Sequence, residues 1–204
     1  MKISKIKKLC KDRQCVMIYH DTRLGQWIGN GTAVYAAQDI PYVEEETVPG
    51  LFEIPDSKVE SWCIQEQCLP RGLSFEDNRD NDFTVTTASY CIEDGRGLFR
   101  PVFTTDGPYM IQEEYMEPLD DEQNLTFAER KDAAGLMYIL VKRGLFLRAI
   151  IRPAPVPGAT ADKLKALWTE FTRAKLRRNP IDLTEAEPEQ MTMEGSTDEN
   201  SKSE

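Results

Sequence analysis

The chain has 204 residues, of which 40% are hydrophobic and 29% are charged, with a formal net charge of −10. A domain holds roughly 150 residues, so this length allows one domain or two small ones, each with a buried core. The apolar run around Ile150 and Ile151 is interrupted by arginines, and no apolar run of the chain reaches the roughly 18 residues of a transmembrane helix. No apolar segment follows the first lysines, as it would in a secretory signal, and we expect a cytoplasmic protein with no membrane partner.

The charge is distributed unevenly along the chain. Residues 1–13 have a net charge of +5 and residues 159–180 of +4, whereas residues 181–204 have −7 and residues 14–158 have −12. Basic charge is therefore concentrated in two segments. Such segments are often the solvated faces of helices, but a local basic stripe can also bind phosphates on an acidic protein. The sequence leaves both interpretations open.

A helix and strands are predicted at the start of the chain. Apolar residues recur at helical spacing between lysines, which predicts a helix over residues 2–12. Alternating apolar residues and an Asn-Gly turn signal then predict strands over residues 15–20 and about 26–37. These elements form a helix-plus-hairpin unit that closes at Pro41.

The centre of the chain is predicted to contain a helix and a loop. Asp56 or Ser57 is typical of a helix N-cap just after Pro55, so we expect a helix there that crosses between the two halves. The polar, turn-rich residues 73–83 predict a surface loop or hinge, and two strands follow it.

The second half repeats the layout of the first. Each half has a strand, an Asp followed within four residues by a Gly, a second apolar strand and a closing proline. Asp21 lies 20 residues before Pro41, and Asp132 lies 21 residues before Pro153. A short amphipathic segment precedes each hairpin, the second one over residues 115–119. We therefore predict an α+β fold built from internally duplicated helix-plus-hairpin units.

The predicted domain organisation follows this duplication. The first repeat unit and its following helix span residues 1–72, and the second unit and a C-terminal helix span residues 73–180. Apolar residues at helical spacing predict that helix over residues 159–178. Residues 181–204 contain no aromatic residue and are expected to form a disordered acidic tail.

Cysteines and the single histidine are the residues that would perform chemistry. Cys10 and Cys15, and again Cys63 and Cys68, form C-x4-C pairs, but zinc ribbons bracket such pairs with tight glycine turns, so we favour ordinary buried thiols. His20 adjoins an aspartate on a strand, where neighbouring side chains point to opposite faces, which disfavours acid–base catalysis. We predict a protein that is not an enzyme and needs neither a cofactor nor a metal.

The second half also resembles a known family. Its segments EEYMEPL, LTFAERKD and MYILVKRGLFLRAIIRP are similar to the last part of a DNA polymerase sliding-clamp domain, where a short helix, an acidic linker and two strands end in a proline stop. The matching positions are Tyr115, Met116 and Leu119 in the helix, Leu125 and Phe127 in the strand, and Ile150, Ile151 and Pro153 at the stop. The chain also resembles small prophage and mobile-element proteins of Firmicutes.

The resemblance implies a non-enzymatic, clamp-like module that binds nucleic acid non-specifically, a partner from the replication machinery, or both. The expected DNA-binding surface comprises Lys5, Lys8, Lys11, Lys165, Arg173 and Arg177. A groove at Ile150, Ile151 and Pro153 would hold a partner peptide. The alternative is a protein-interaction or regulatory module of a mobile element that binds no nucleic acid. Both hypotheses leave formation of a homo-oligomer open.

Overall fold

The structure is a computed structural model that describes residues 1–69, 72–77, 79, 82–156, 158, 160, 162 and 166. The chain divides into two units, Met1–Val156 and Pro157–Glu204. The predicted C-terminal helix falls mainly outside the described residues, and the predicted acidic tail lies entirely outside them.

Helical segments are short apart from the first one. Helix α1 spans Ile3–Arg13 and helix α2 spans Val48–Phe52. In α1, Ile6, Leu9 and Cys10 are buried, as the spacing of the apolar residues predicts, and lysines occupy the other face. Three-residue 3-10 turns also occur, at Glu45–Thr47, Glu113–Tyr115 and Glu117–Leu119.

Most of the unit is β-structure. The described residues contain thirteen strands, which in chain order are β1 Cys15–Asp21, β2 Gly25–Gly29, β3 Ala33–Ala36, β4 Cys63–Cys68, β5 Phe83–Thr84, β6 Thr86–Thr87, β7 Ile92–Asp94, β8 Gly97–Thr104, β9 Gly107–Gln112, β10 Leu125–Lys131, β11 Met137–Arg143, β12 Phe146–Ile151 and β13 Ala154–Pro155. Helices and sheets thus occur together, which confirms the predicted α+β class.

Two sheets contain these strands. Sheet A has eight strands in the order β4-β1-β2-β3-β12-β11-β10-β5, and sheet B has the order β13-β9-β8-β6 with β7 paired to β8. In sheet A, β1-β2-β3 and β10-β11-β12 are two antiparallel meanders. They meet where β3 pairs with β12, with Ala33 opposite Ile151. Only β4 runs parallel to its neighbour, β1.

The core lies on both faces of sheet A. On β1, Val16 and Ile18 point into the larger apolar cluster, which also contains residues of α1, α2 and sheet B. Tyr19 points the opposite way into a second cluster, because side chains alternate along a strand. Phe75 enters this second cluster from the segment after β4, and its ring lies 4.9 Å from that of Trp27.

Three predicted elements are wrong. The helix expected after Pro55 is a 3-10 helix, Asp56–Ser61, and the chain then extends into β4 because Cys63–Cys68 pair with β1. The single strand expected over residues 26–37 is two strands, β2 and β3. At the turn between them, the side-chain oxygen of Asn30 accepts hydrogen bonds from the backbone N–H groups of Thr32 and Ala33, each at 3.1 Å.

The short helix expected over residues 115–119 is also not an α-helix. The 3-10 turns Glu113–Tyr115 and Glu117–Leu119 occupy this region. Pro118 has no N–H group to donate to a helical hydrogen-bond ladder, which disfavours a continuous α-helix here. Tyr115 and Leu119 are nevertheless buried, as the amphipathic pattern indicates.

Candidate binding surfaces

The lysines of α1 lie beside carboxylates of neighbouring segments. Lys5 Nζ donates a hydrogen bond to Glu117 Oε2 at 2.7 Å, and Lys8 Nζ lies 3.8 Å from Glu117 Oε1. Lys11 Nζ lies 3.6 Å from Glu53 Oε2. The hydrogen bond from Lys5, together with the charge of Lys8, lowers the pKa of Glu117 below its usual range. The positive charge of this helix face is therefore partly neutralised within the protein.

The predicted DNA-binding surface is only partly visible. Lys5, Lys8 and Lys11 lie at intervals of three residues on α1, and their side chains are between 38% and 55% exposed. The remaining predicted positions, Lys165, Arg173 and Arg177, lie outside the described residues. That these three residues share a surface with Lys5, Lys8 and Lys11 stays a prediction.

The residues predicted to line a peptide groove are core residues. Ile150 is 3% exposed and Ile151 is 0% exposed, and they belong to the apolar clusters on opposite faces of sheet A. Pro153 is buried as well. Strand β12 lies between β3 and β11, and an apolar cluster covers each of its faces, so these side chains cannot contact a partner.

A pocket of about 400 Å³ nevertheless opens beside this proline stop. Arg13, Arg96 and Arg152 lie in its wall, and we call it the arginine pocket. Its lining also includes Thr32, Phe99, Met110, Gln112, Tyr115 and Ala154. None of the described residues that line it is acidic. It combines cationic donors with apolar surface, which is typical of a binding pocket.

Three separate segments bring the arginines to this pocket. Arg13 is the last residue of α1, and Arg96 lies in the turn between β7 and β8. Arg152 directly follows β12, and its backbone N–H donates to the carbonyl oxygen of Thr32 at 2.8 Å. The backbone of all three positions is thus fixed by regular elements or tight connections between them.

Each arginine has one neighbouring side chain that orients it. Arg13 Nη2 donates to the hydroxyl of Tyr115 at 3.2 Å, and the hydroxyl of Tyr35 donates to the Tyr115 carbonyl oxygen at 2.8 Å. Arg152 Nη2 lies 3.7 Å from Asp132 Oδ2, which is too long for a hydrogen bond. Arg13 and Arg152 therefore keep donors that a ligand can use.

Arg96 is held more firmly than the other two. Its Nη2 donates to Asp94 Oδ2 at 2.7 Å, and its guanidinium lies 5.3 Å from the centre of the Phe99 ring. The hydrogen bond with Asp94 raises the pKa of Arg96 above its ordinary value. Stacking on Phe99 places this cation against the apolar part of the pocket.

Cysteine and histidine positions give no second site. Cys10 is buried, and burial raises the pKa of its thiol to about 12, but Cys63 and Cys68 are exposed, so the prediction of buried thiols is wrong for these two. The His20 ring stacks on Tyr42 at 4.1 Å between centroids. Within the described part of the chain, no group of three or more His, Cys, Asp or Glu residues is arranged to hold a metal ion.

Sequence reasoning missed the arginine pocket. Arg96 occurs in a turn of type D-G-R-G, where its charge has an ordinary explanation, and Arg152 stands next to the proline stop without a motif of its own. Arg13 belongs to the lysine-rich first segment, whose basic residues the sequence predicts to bind DNA. The only usable signal was the position of Arg152 beside the predicted groove.

Comparison with protein-family models, curated proteins and solved structures gives no match. The resemblance to a sliding clamp therefore stays a prediction. Of the helices in the described residues, none has the length and apolarity to cross a membrane.

Proposed function

We propose that this protein is a non-enzymatic, clamp-like interaction module that binds a segment of a partner protein in the arginine pocket. The observation that supports this proposal is the arginine pocket, which lies where the clamp resemblance implies a peptide groove. A partner from the replication machinery is the one that this resemblance implies. The groove is formed by residues flanking the proline stop rather than by the buried Ile150 and Ile151.

The pocket has the size and surface for a short peptide segment. Its volume of about 400 Å³ is within the usual range for ligand pockets. Thr32 and Gln112 supply polar groups, while Phe99 and Met110 line the pocket but are only 5% and 3% exposed, so they supply little apolar area. Such a lining suits a side chain and its adjoining backbone better than a wholly apolar ligand.

We further propose that the two halves are duplicated units. Each half has a helical segment followed by a three-stranded antiparallel meander, and the meanders meet at the antiparallel pair of β3 and β12. Two copies related by a two-fold axis would have this arrangement. The repeat boundary near residue 72 follows from the same proposal.

Selection of peptides tests the proposed function. Random linear peptides displayed on phage are selected on the full-length protein, and the selected peptides are then measured on Arg152→Glu and on Arg143→Glu. Arg143 is exposed at the end of β11 and is not part of the pocket lining, so it is the matched control. We expect Arg152→Glu to weaken binding by roughly tenfold or more and Arg143→Glu to leave it unchanged.

Failure to select peptides above background, both from the phage library and from a parallel library of phosphorylated synthetic peptides, would contradict this proposal. Selected peptides that bind Arg152→Glu as well as wild type would contradict it too, because they would bind elsewhere. Circular dichroism and melting temperature establish that both variants are folded.

Non-specific binding of nucleic acid is the second candidate function. The observation that favours it is that Lys8 and Lys11 contact their carboxylates at 3.8 and 3.6 Å, beyond hydrogen-bond distance, and are about half exposed. Exposed pairs of this kind are weak, so both lysines can turn toward phosphates.

Titration with DNA at several salt concentrations separates the two candidates. Phosphate contacts give a slope of about −0.9 per neutralised phosphate in a log–log plot of affinity against salt. A variant with Lys8→Glu and Lys11→Glu should lose this binding. No binding by the wild type at about 50 mM salt would leave only the interaction function.

A further inference from the structure

The composition of the arginine pocket is unusual for this protein. The chain has 35 acidic and 25 basic residues and a net charge of −10, so carboxylates are abundant. Yet Arg13, Arg96 and Arg152 lie together, and the described lining residues include no Asp or Glu. Asp94 and Asp132 lie beside Arg96 and Arg152 but are not part of the lining, so the wall of the pocket presents cationic groups to an incoming anion.

We propose that this pocket recognises an oxyanion on the bound partner segment, either a carboxylate or a phosphate group on a side chain. The proposal rests on the proposed function and names the ligand chemistry of the same site. Arginine suits it because a planar guanidinium presents several N–H donors that match the oxygens of a carboxylate or phosphate.

Donors remain available for such a ligand. Arg13 donates a hydrogen bond to Tyr115 through Nη2, and the contact of Arg152 with Asp132 is 3.7 Å long. The side chain of Arg152 is 54% exposed, so it can turn toward an incoming anion with little cost in packing. Arg96 is paired with Asp94 over the Phe99 ring, so it adds a positioned donor at the wall but little net charge.

The size of the pocket places a second requirement on the ligand, in addition to the negative charge. A volume of about 400 Å³ exceeds what a bare phosphate or carboxylate group fills. The remaining space must be filled by the rest of the bound segment, so the anion must be attached to a larger group. An acidic or phosphorylated side chain of a peptide meets both requirements.

Calorimetric titration of the full-length protein tests the oxyanion site directly. The probes are inorganic phosphate and succinate, each compared with chloride at matched ionic strength. We expect saturable binding of at least one of them. Stronger binding of phosphate identifies a phosphorylated side chain as the ligand group, whereas equal or stronger binding of succinate identifies a carboxylate.

Variants of the arginines provide the control. Arg152→Gln should weaken binding of the probe by about tenfold, and the double variant Arg13→Gln/Arg152→Gln should abolish it. Arg143→Gln, outside the pocket, should bind as wild type does. Arg152→Gln is the safer single variant because Arg152 is exposed, whereas Arg13 contacts the buried Tyr115.

Two results would overturn the oxyanion site. One is that neither probe binds above chloride, and the other is that the double variant binds the probe as strongly as wild type. Probe binding without peptide selection rejects the proposed function but not the oxyanion site. Selected peptides with no acidic residue, whose affinity is unaffected by phosphorylation, reject the oxyanion site but not the interaction function.

Discussion

Replacement of Asp82 by alanine tests how the segment after β4 is held on sheet A. Lys142 Nζ and Arg130 Nη2 donate to Asp82 Oδ2 at 2.6 and 2.8 Å, and Arg130 Nε donates to the other carboxylate oxygen. Arg130 also donates to the carbonyl oxygens of Ser74 and Glu76 at 3.0 and 2.8 Å. One carboxylate and one guanidinium thus join this segment to β10 and β11.

The expected loss of stability follows from burial. The side chains of Arg130, Lys142 and Asp82 are 2%, 9% and 11% exposed. Removal of one partner from a buried ion pair typically costs about 3–5 kcal/mol, because the remaining charge stays desolvated. We therefore expect Asp82→Ala to lower the free energy of unfolding by about 3–5 kcal/mol, a large part of the roughly 5–15 kcal/mol of a typical domain.

Asp106 provides a matched control. It pairs with Lys131 at 2.7 Å, but these two side chains are 42% and 48% exposed. An exposed pair contributes only about 0–1 kcal/mol, so Asp106→Ala should be nearly neutral. Urea denaturation followed by circular dichroism measures both variants. A loss for Asp82→Ala no larger than that for Asp106→Ala would refute the reasoning.

The ion pairs of Asp82 also predict that the stability of the fold depends on pH. Burial opposes ionisation of Asp82, but the hydrogen bonds from Arg130 and Lys142 outweigh it and lower its pKa below the ordinary value of 3.8. A carboxylate with a lowered pKa stabilises the fold above its unfolded-state pKa, and this contribution is lost as the pH falls through its folded-state pKa. The stability difference between wild type and Asp82→Asn should therefore be full at neutral pH and shrink below pH 3.8. A constant difference would contradict this.

Three further predictions test the packing and the strand register. Phe75→Ala should lower the free energy of unfolding by about 3–5 kcal/mol in urea denaturation, because its ring is 2% exposed; a loss below about 1 kcal/mol would contradict this burial. Gly29→Ala should prevent folding as seen by circular dichroism, because an added Cβ would lie 1.8 Å from the carbonyl oxygen of Ala33; a folded variant would exclude this hairpin geometry. Cys15 and Cys63 are paired across neighbouring parallel strands about 4.8 Å apart, so mild oxidation should link them, and peptide mapping that shows another pairing would contradict the register.

Local patterns in the sequence determined several elements of this fold. The helical spacing of Ile6 and Leu9 among lysines predicted α1 to within a residue, because burial of one helix face depends on positions three and four apart. Alternation of apolar residues predicted β1 and much of the second half for a similar reason. The two amphipathic segments are also visible without any knowledge of long-range contacts, but the sequence predicts a hairpin in each half where the structure has a three-stranded meander.

Elements that depend on distant partners could not be predicted in the same way. In the segment Cys63–Cys68, five side chains are exposed and one is half-buried, so the segment lacks the alternation of buried and exposed side chains that is typical of a strand. It becomes β4 because its backbone pairs with β1, for example Cys63 with Cys15, and the sequence alone does not specify that pairing. The capping signal at Asp56 therefore predicts an α-helix, whereas a 3-10 helix forms there and tertiary pairing then extends the chain into β4.

The candidate site depends still more on tertiary structure. The place of Ile150 and Ile151 before a proline predicts a groove, but only the apolar clusters packed on the two faces of sheet A show that both are buried. Arg13, Arg96 and Arg152 are far apart in the chain, and each has an ordinary local explanation. Their convergence is decided by the packing of α1 and the β7–β8 turn beside the end of β12, because a pocket is formed by contacts between elements rather than by any single segment.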